Sequence, residues 1–255
     1  MASRIALLCL LVGVQVAASP AIADSGIYYQ IAFMWPGAYC SQSKAGCCMP
    51  STGVVPASDF YVSGFTVYNA TTDEPETRCS NAAFNLTEIA KIEGLKQYWS
   101  NIKCPSNNGQ TGWKNAWKTA GVCSGLEEKA YFEAALALRH KINPLARLVS
   151  KGIKPDYNLY SVKRIKKVIR AGIGATPLVQ CSKGPFEKYQ LYQIYVCVAE
   201  DGVFIDCPAP PRYTCSDEIL FHPFKKWMLK ELKDGETAAM SYVDPFVLPG
   251  LAMGQ

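Results

Sequence analysis

The chain has 255 residues, of which 49% are hydrophobic and 18% are charged. This length and balance fit one globular domain with a sizeable core, or at most two small ones. The formal net charge of +5 would help an anionic ligand to approach, but the chain lacks the dense Lys/Arg stripe expected of a dedicated nucleic-acid-binding protein.

The N-terminal segment has the three parts of a secretory signal peptide. Arg4 precedes an apolar run over residues 5–14, and small residues follow up to Ala21-Ile22-Ala23. The run is too short to span a bilayer, and no later segment is long and apolar enough to do so. We therefore predict a signal peptide over residues 1–23 and an exported mature chain from Asp24, either extracellular or vacuolar, without a membrane anchor.

The cysteine count agrees with export. The chain has 11 cysteines, and removal of Cys9 with the signal peptide leaves an even number. An exported chain with so many cysteines is expected to form disulfides, here five of them. Zinc binding is the competing interpretation, but no C-x-x-C pair occurs and the chain has only two histidines. We expect no metal and no cofactor.

Taken in chain order, the hydrophobic patterns predict strands, then helices, then strands. Runs of aromatic and β-branched residues favour a strand, whereas apolar residues at helical spacing favour a helix. The predicted elements are strands over 28–35 and 60–68, helices over 86–102, 113–119, 127–149 (broken at Pro144) and 161–170, strands over 190–199, 203–207 and 218–221, and a basic helix over 225–233. This order indicates an α+β domain with an antiparallel sheet over residues 24–224, followed by a C-terminal extension over 225–255.

Several short motifs in a fixed order resemble the T2 family of ribonucleases, in particular its plant S-like branch. The motifs are Trp35-Pro36 followed by Cys40, Phe65-Thr66-Val67 before Cys79, Trp117 with Gly121 and Cys123, Gly152-Ile153 with Pro155, and Ile194 with Cys197 followed by Asp206-Cys207-Pro208. The resemblance covers residues 27 to about 224 and implies a disulfide-rich T2-ribonuclease-like fold. The disulfides it implies are Cys40–Cys47, Cys48–Cys104, Cys79–Cys123, Cys181–Cys215 and Cys197–Cys207.

The resemblance also implies a reaction, for which this chain lacks the residues. Members of the family cleave RNA with one histidine as base and another as acid, helped by a glutamate and a lysine. Here Tyr68 replaces the first histidine and Ala120 replaces the second, while Ala116 replaces the glutamate and Thr119 the lysine. Asn115 occupies another place that commonly holds histidine. We therefore predict a catalytically inactive protein in which Tyr68, Ala116 and Ala120 line one concave vestigial site.

The remaining candidate residues have alternative interpretations. His140 lies in a helical pattern and His222 near the end of a strand, and a lone histidine at either place is more often structural than catalytic. Two sequons, at Asn69 and Asn85, are glycosylation candidates in an exported protein. The alternatives are that Asn69 is buried beside the former active site, and that Asn85 is a helix N-cap with Glu88 completing a capping box.

Three functions remain open from the sequence. Inactive plant members of the family are associated with storage or stress-responsive roles, so the resemblance implies one of those. The first alternative is a module that binds RNA or a nucleotide weakly in the vestigial cleft. The second is a residual endoribonuclease that forms a cyclic phosphate. The basic stretch over 163–170 fits a solvated helix face better than a polyanion site, because charged residues commonly lie opposite an apolar stripe.

Overall fold

The computed structural model describes residues 26–42, 46–50, 55–104, 108–208 and 215–230. The predicted signal peptide and most of the C-terminal extension lie outside these residues. The described strands are β1 (Ile27–Met34), β2 (Cys47–Cys48), β3 (Tyr61–Asn69), β4 (Pro75–Glu76), β5 (Leu159–Ser161), β6 (Leu178–Lys183), β7 (Tyr189–Ala199), β8 (Phe204–Ile205), β9 (Glu218–Leu220) and β10 (Leu229–Lys230). The described α-helices are α1 (Pro36–Gln42), α2 (Leu86–Ile89), α3 (Leu95–Tyr98), α4 (Gln110–Thr119), α5 (Glu128–Ile142), α6 (Pro144–Ser150) and α7 (Val162–Ile173).

One sheet organises the domain. Its strands follow the order β4-β3-β1-β7-β9-β5, and β6 and β8 also pair with β7. The pairings are antiparallel, except that β7 and β9 run parallel where Gln190 meets Leu220. The predicted α+β class is confirmed, and the predicted antiparallel sheet is mixed at this one pair. Strand β1 lies between β3 and β7 and is buried along nearly its whole length, as its run of apolar residues requires.

The helices cover the sheet through aromatic side chains. Tyr131 and Phe132 on α5 are fully buried, and the Tyr131 ring lies 5.2 Å from that of Phe65 on β3. The Tyr131 hydroxyl donates to the backbone carbonyl of Phe65, which satisfies the one polar atom of a buried phenol. Helix α5 ends at Asn143, whose φ of +37° is left-handed and whose side chain then accepts a hydrogen bond at the start of α6. The break predicted at Pro144 is therefore present.

Two predicted helices differ from the structure. The helix expected over 86–102 is divided into α2 and α3: α2 ends at Ile89, and Gly94, with a left-handed φ of +78°, directly precedes α3. The helix expected over 225–233 is wrong in its described part: a 3-10 turn at Lys226–Met228 leads into β10. Strand β10 pairs in parallel with β2, and this long-range pairing overrides the local helical pattern.

Disulfides tie the loops to this framework. The structure contains the five pairs that the family resemblance implies: Cys40–Cys47, Cys48–Cys104, Cys79–Cys123, Cys181–Cys215 and Cys197–Cys207. Their Cα atoms are 5.0–5.4 Å apart, within the usual range for a disulfide. The Cys79–Cys123 bridge matters most for the site described below, because it joins the loop before α2 to the end of α4.

Candidate functional site

A cavity of about 180 Å³ lies between strand β3 and helix α4; we call it the β3–α4 cavity. Strand β3 contributes residues 62–66, and the helix contributes Gly112, Asn115, Ala116 and Thr119, with Ala120 directly after it. The remaining wall is formed by Met34, Tyr39, Trp99, Ser100, Asn101 and Gly109. The motif positions Ala116, Thr119 and Ala120 therefore meet at one concave surface.

Strand β3 offers an edge to this cavity. It pairs with β1 along its length, whereas β4 covers its other edge only at Val67 and Tyr68. The backbone of residues 62–66 can thus border the cavity. Ser63 is held there by two hydrogen bonds, since its hydroxyl donates to the Ala32 carbonyl at 3.2 Å and accepts from the Gln193 amide at 3.0 Å.

Helix α4 is fixed by its two tryptophans, which face away from the cavity surface. The indole N–H of Trp113 donates to the Trp99 carbonyl at 2.5 Å, and that of Trp117 donates to the Ala83 carbonyl at 2.8 Å. Both side chains are buried. The period of the helix then places Ala116 and Thr119 on the cavity side.

The end of α4 is fixed by close packing and by a covalent tether. An ideal Cβ on Gly121 would lie 2.2 Å from a ring carbon of Trp117, so only glycine lets the chain pass under that indole. The Cys79–Cys123 disulfide follows two residues later, and the Arg78 N–H donates to the Thr119 carbonyl at 2.8 Å. These contacts position Ala120 at the cavity.

Tyr68 differs from the expectation, because it is not part of the cavity wall. Its ring stacks on that of Tyr28, its cross-strand neighbour, with centroids 5.2 Å apart and planes inclined by 10°. Its hydroxyl donates to the side-chain oxygen of Gln30 at 3.4 Å. Burial and the nearby Glu74 carboxylate raise the pKa of Tyr68 above that of a phenol in water, so it stays protonated at neutral pH.

The cavity wall contains little that can exchange a proton. Among the described residues that line it, only Tyr39 has an ionisable side chain. His140 packs edge-on against Tyr98 with ring centroids 5.6 Å apart. His222 is buried beside Tyr157, its Nδ1 lies 2.8 Å from the Pro223 carbonyl, and burial lowers its pKa. Neither histidine lines the cavity, so the site offers hydroxyls and amides without an acid–base pair.

The two sequon asparagines differ in what their side chains already bind. Asn69 is half-buried in a turn: its oxygen accepts from the Thr71 and Thr72 N–H groups, and its nitrogen donates to Glu76 at 3.3 Å. Asn85 is exposed and caps α2 by accepting from the Glu88 N–H. The reciprocal half of a capping box is absent here, because Glu128 on α5 accepts the Asn85 N–H.

Sequence reasoning missed the far wall of the cavity. Tyr39, Trp99 and Asn101 come from segments distant in the chain from α4. Tyr39 does follow the Trp35-Pro36 motif on α1, which was the one available signal. Within the described residues, no group of three or more potential ligands is placed to hold a metal ion. None of the helices in the same residues has the length and apolar character of a membrane span.

Comparisons with known proteins place this geometry in context. The profile described as "Ribonuclease T2 family" matches residues 26–207. Ribonuclease 3 of Arabidopsis thaliana is 36% identical over 201 residues, which are 77% of this chain and 90% of that protein. A ribonuclease-like storage protein of Panax ginseng is 29% identical over 184 residues, which are 71% of this chain and 74% of that protein. The crystal structure of RNase NT in complex with 5'-AMP superposes with a TM-score of 0.71, at 33% identity, over 78% of this chain and 98% of that one.

Proposed function

Because this chain belongs to the ribonuclease T2 family, we propose that it is an exported member that does not cleave RNA and that serves a storage or stress-responsive role. The observation that carries the proposal is the composition of the β3–α4 cavity. Alanine, threonine and asparagine occupy the helix side of that cavity, where the family's reaction needs an acid, a base and positive charge. The fold around the cavity is kept.

The expected loss of rate is large. A positioned general acid or base contributes about 10²–10⁴-fold each, and Ala120, in the place of the second histidine, has no proton to transfer. Tyr68 is a poor replacement base, because its pKa is raised by burial and its ring is held against Tyr28. Loss of both histidines should lower the rate of RNA cleavage by several orders of magnitude, even when their effects are not additive.

The test is RNA cleavage by the purified mature chain, measured as cyclic phosphate product. We expect no product above background. The matched control is Gly112→Leu: Gly112 lines the cavity from inside α4, and a Cβ there meets no atom within 4 Å, so a leucine fills cavity space without a clash at its base. Cleavage by the unmodified chain that disappears in Gly112→Leu would overturn the proposal. Equal traces in both preparations would identify a contaminating nuclease.

Weak nucleotide binding in the same cavity is the second candidate. It is supported by the similarity to RNase NT, a protein whose structure was determined with 5'-AMP. The volume of about 180 Å³ is below the roughly 300–1,000 Å³ of typical small-molecule pockets, which favours partial and weak occupancy. Calorimetric titration with a dinucleotide separates the two candidates: binding that Gly112→Leu removes supports a nucleotide-binding module.

The abundance of the protein distinguishes the two proposed physiological roles, storage and stress response. The 29% identity to the Panax ginseng storage protein supports storage, whereas the bulk composition carries no mark of a nitrogen reserve. Quantitative mass spectrometry across development and stress treatments separates the two roles. Storage predicts high abundance that falls when reserves are used, and a stress-responsive role predicts induction from a low basal level.

Export and glycosylation are parts of the same proposal. We expect cleavage after Ala23, a mature chain without Cys9, and residues 24–224 forming the disulfide-bonded domain. Because the Asn69 amide nitrogen already donates to Glu76 and Asn85 is exposed, Asn85 is the better glycan acceptor. Mass spectrometry of the native protein would contradict this if its N-terminus lay before Cys9, or if Asn69 alone carried the glycan.

A further inference from the structure

A second concave surface lies beside the C-terminal end of helix α1; we call it the tail groove. Tyr39 on α1 lines the cavity, whereas the next residues, Cys40 to Gln42, line the groove. The groove measures about 960 Å³ and is bordered by Tyr157, Lys183, Trp227 and Lys230. Its volume falls within the roughly 300–1,000 Å³ of small-molecule pockets.

The groove presents aromatic rings to solvent. Trp227 is 74% exposed, and Tyr157 is 45% exposed. The other four tryptophans, Trp35, Trp99, Trp113 and Trp117, are all buried. Single exposed apolar residues are common on protein surfaces, so exposure alone would mean little. Here, however, the indole borders a concave surface, and Trp227 lies beyond residues 26–207, the part that matches the family.

The charged groups of the groove are cationic. Lys183 and Lys230 carry the positive charge of its wall, which also includes the buried His222 and, among the described residues, no carboxylate. Lys183 pairs with Glu187, whose carboxylate oxygen lies 3.7 Å from the Lys183 ammonium. Both side chains of that pair are largely exposed, and such pairs are worth little, so an anion can displace it. Lys225 and Lys226 precede Trp227 in the chain and add positive charge nearby.

We propose that the tail groove is a nucleotide-binding site, separate from the β3–α4 cavity. The base stacks on the exposed indole of Trp227, and the phosphate is held by Lys183 and Lys230. This ligand class needs both features that the groove combines, because aromatic side chains stack on any base and basic residues hold the phosphate. An acidic peptide would use the lysines and leave the indole without a stacking partner.

The experiment titrates the mature Gly112→Leu chain with AMP, adenosine and inorganic phosphate by calorimetry. Because Gly112 lines the β3–α4 cavity, the Gly112→Leu change narrows that cavity and reduces the contribution of binding there. We expect AMP to bind more tightly than either fragment and to quench tryptophan fluorescence. Adding Trp227→Ala should weaken AMP binding roughly tenfold or more, and Trp227→Phe should stay within a few-fold of the parent, because it keeps a stacking ring.

A charge-matched pair of variants tests the phosphate contact. Lys183→Gln should weaken AMP binding roughly fivefold and reduce its salt dependence, whereas Lys167→Gln, an exposed position on α7, should change neither. Equal effects of the two lysine variants would assign the binding to net charge and overturn the site. Undetectable AMP binding, unchanged affinity in Trp227→Ala, or full displacement of AMP by an acidic peptide such as poly-glutamate would also overturn it.

Discussion

The two faces of helix α4 meet different demands. On the packed face, Trp113 and Trp117 are buried and each indole N–H has a carbonyl partner. On the cavity face, Ala116 and Thr119 border space. A residue on the packed face is fixed by the volume and hydrogen bonds around it, whereas a residue on the cavity face is constrained by chemistry alone. A member of an enzyme family can therefore lose its catalytic groups while its fold persists.

The largest loss of stability is expected for Trp113→Ala on the packed face. Trp113 is fully buried, so truncation leaves a cavity and an unpaired Trp99 carbonyl. We expect a loss of about 3–5 kcal/mol in the free energy of unfolding, measured by denaturant titration. The control is Asn115→Ala on the cavity face, which should change stability by less than about 0.5 kcal/mol. Similar losses for both variants would break the contrast.

The next effect concerns the covalent tether at the end of α4. Replacement of Cys79 and Cys123 by alanine should cost roughly 2–4 kcal/mol, because their bridge closes a loop with a sequence separation of 44. The matched variant replaces Cys197 and Cys207, whose separation is 10. In the chain-entropy account it should lose about 1 kcal/mol less. Thermal unfolding without reductant measures both, and a larger loss for the shorter loop would show that strain or packing dominates.

Local patterns were sufficient where a segment's structure depends on its own residues. Strands β1 and β3, helix α4 and the break at Pro144 all follow from apolar spacing or from proline chemistry. The division between α2 and α3 falls within a continuous apolar pattern, where Gly94 with its left-handed φ is the one local signal of a break. The β10 segment could not be predicted, because its partner β2 lies far away in the chain. Local propensity carries no information about such a pairing.

The residues of the site could be predicted from the sequence only where they lie within one motif. Ala116 and Thr119 on α4 and Ala120 directly after it lie within five residues of one another, so one motif match identifies all three. The direction of the Tyr68 side chain depends instead on its stacking partner Tyr28, which the motif does not include. Tyr39 reaches the cavity from another element. Residue types such as tyrosine and asparagine are common everywhere, and only tertiary packing brings them to the cavity.

Gly121→Ala is a smaller change than the first two, and it falls where α4 ends. Its new Cβ would lie 2.2 Å from a carbon of the Trp117 ring, so the indole must move. We expect a loss of about 1–3 kcal/mol from overpacking and weakening of the bond between the Trp117 indole and the Ala83 carbonyl. Denaturant titration gives the loss, and an altered near-ultraviolet circular dichroism spectrum would report the displaced indole. An unchanged spectrum with full stability would show that the packing here is loose.

Gly112→Ala is expected to have the smallest effect on stability. It makes the same chemical change as Gly121→Ala, but on the cavity face of α4. A Cβ at position 112 meets no atom within 4 Å, and the residue lies inside α4. Alanine is favoured over glycine in a helix interior by about 0.5–1 kcal/mol, since it loses less backbone entropy on folding. We therefore expect Gly112→Ala to stabilise the protein by about that amount, in the same titration in which Gly121→Ala destabilises it. Two glycines nine positions apart would then give opposite signs, and equal signs would mean that the cavity face is packed as tightly as the tryptophan face.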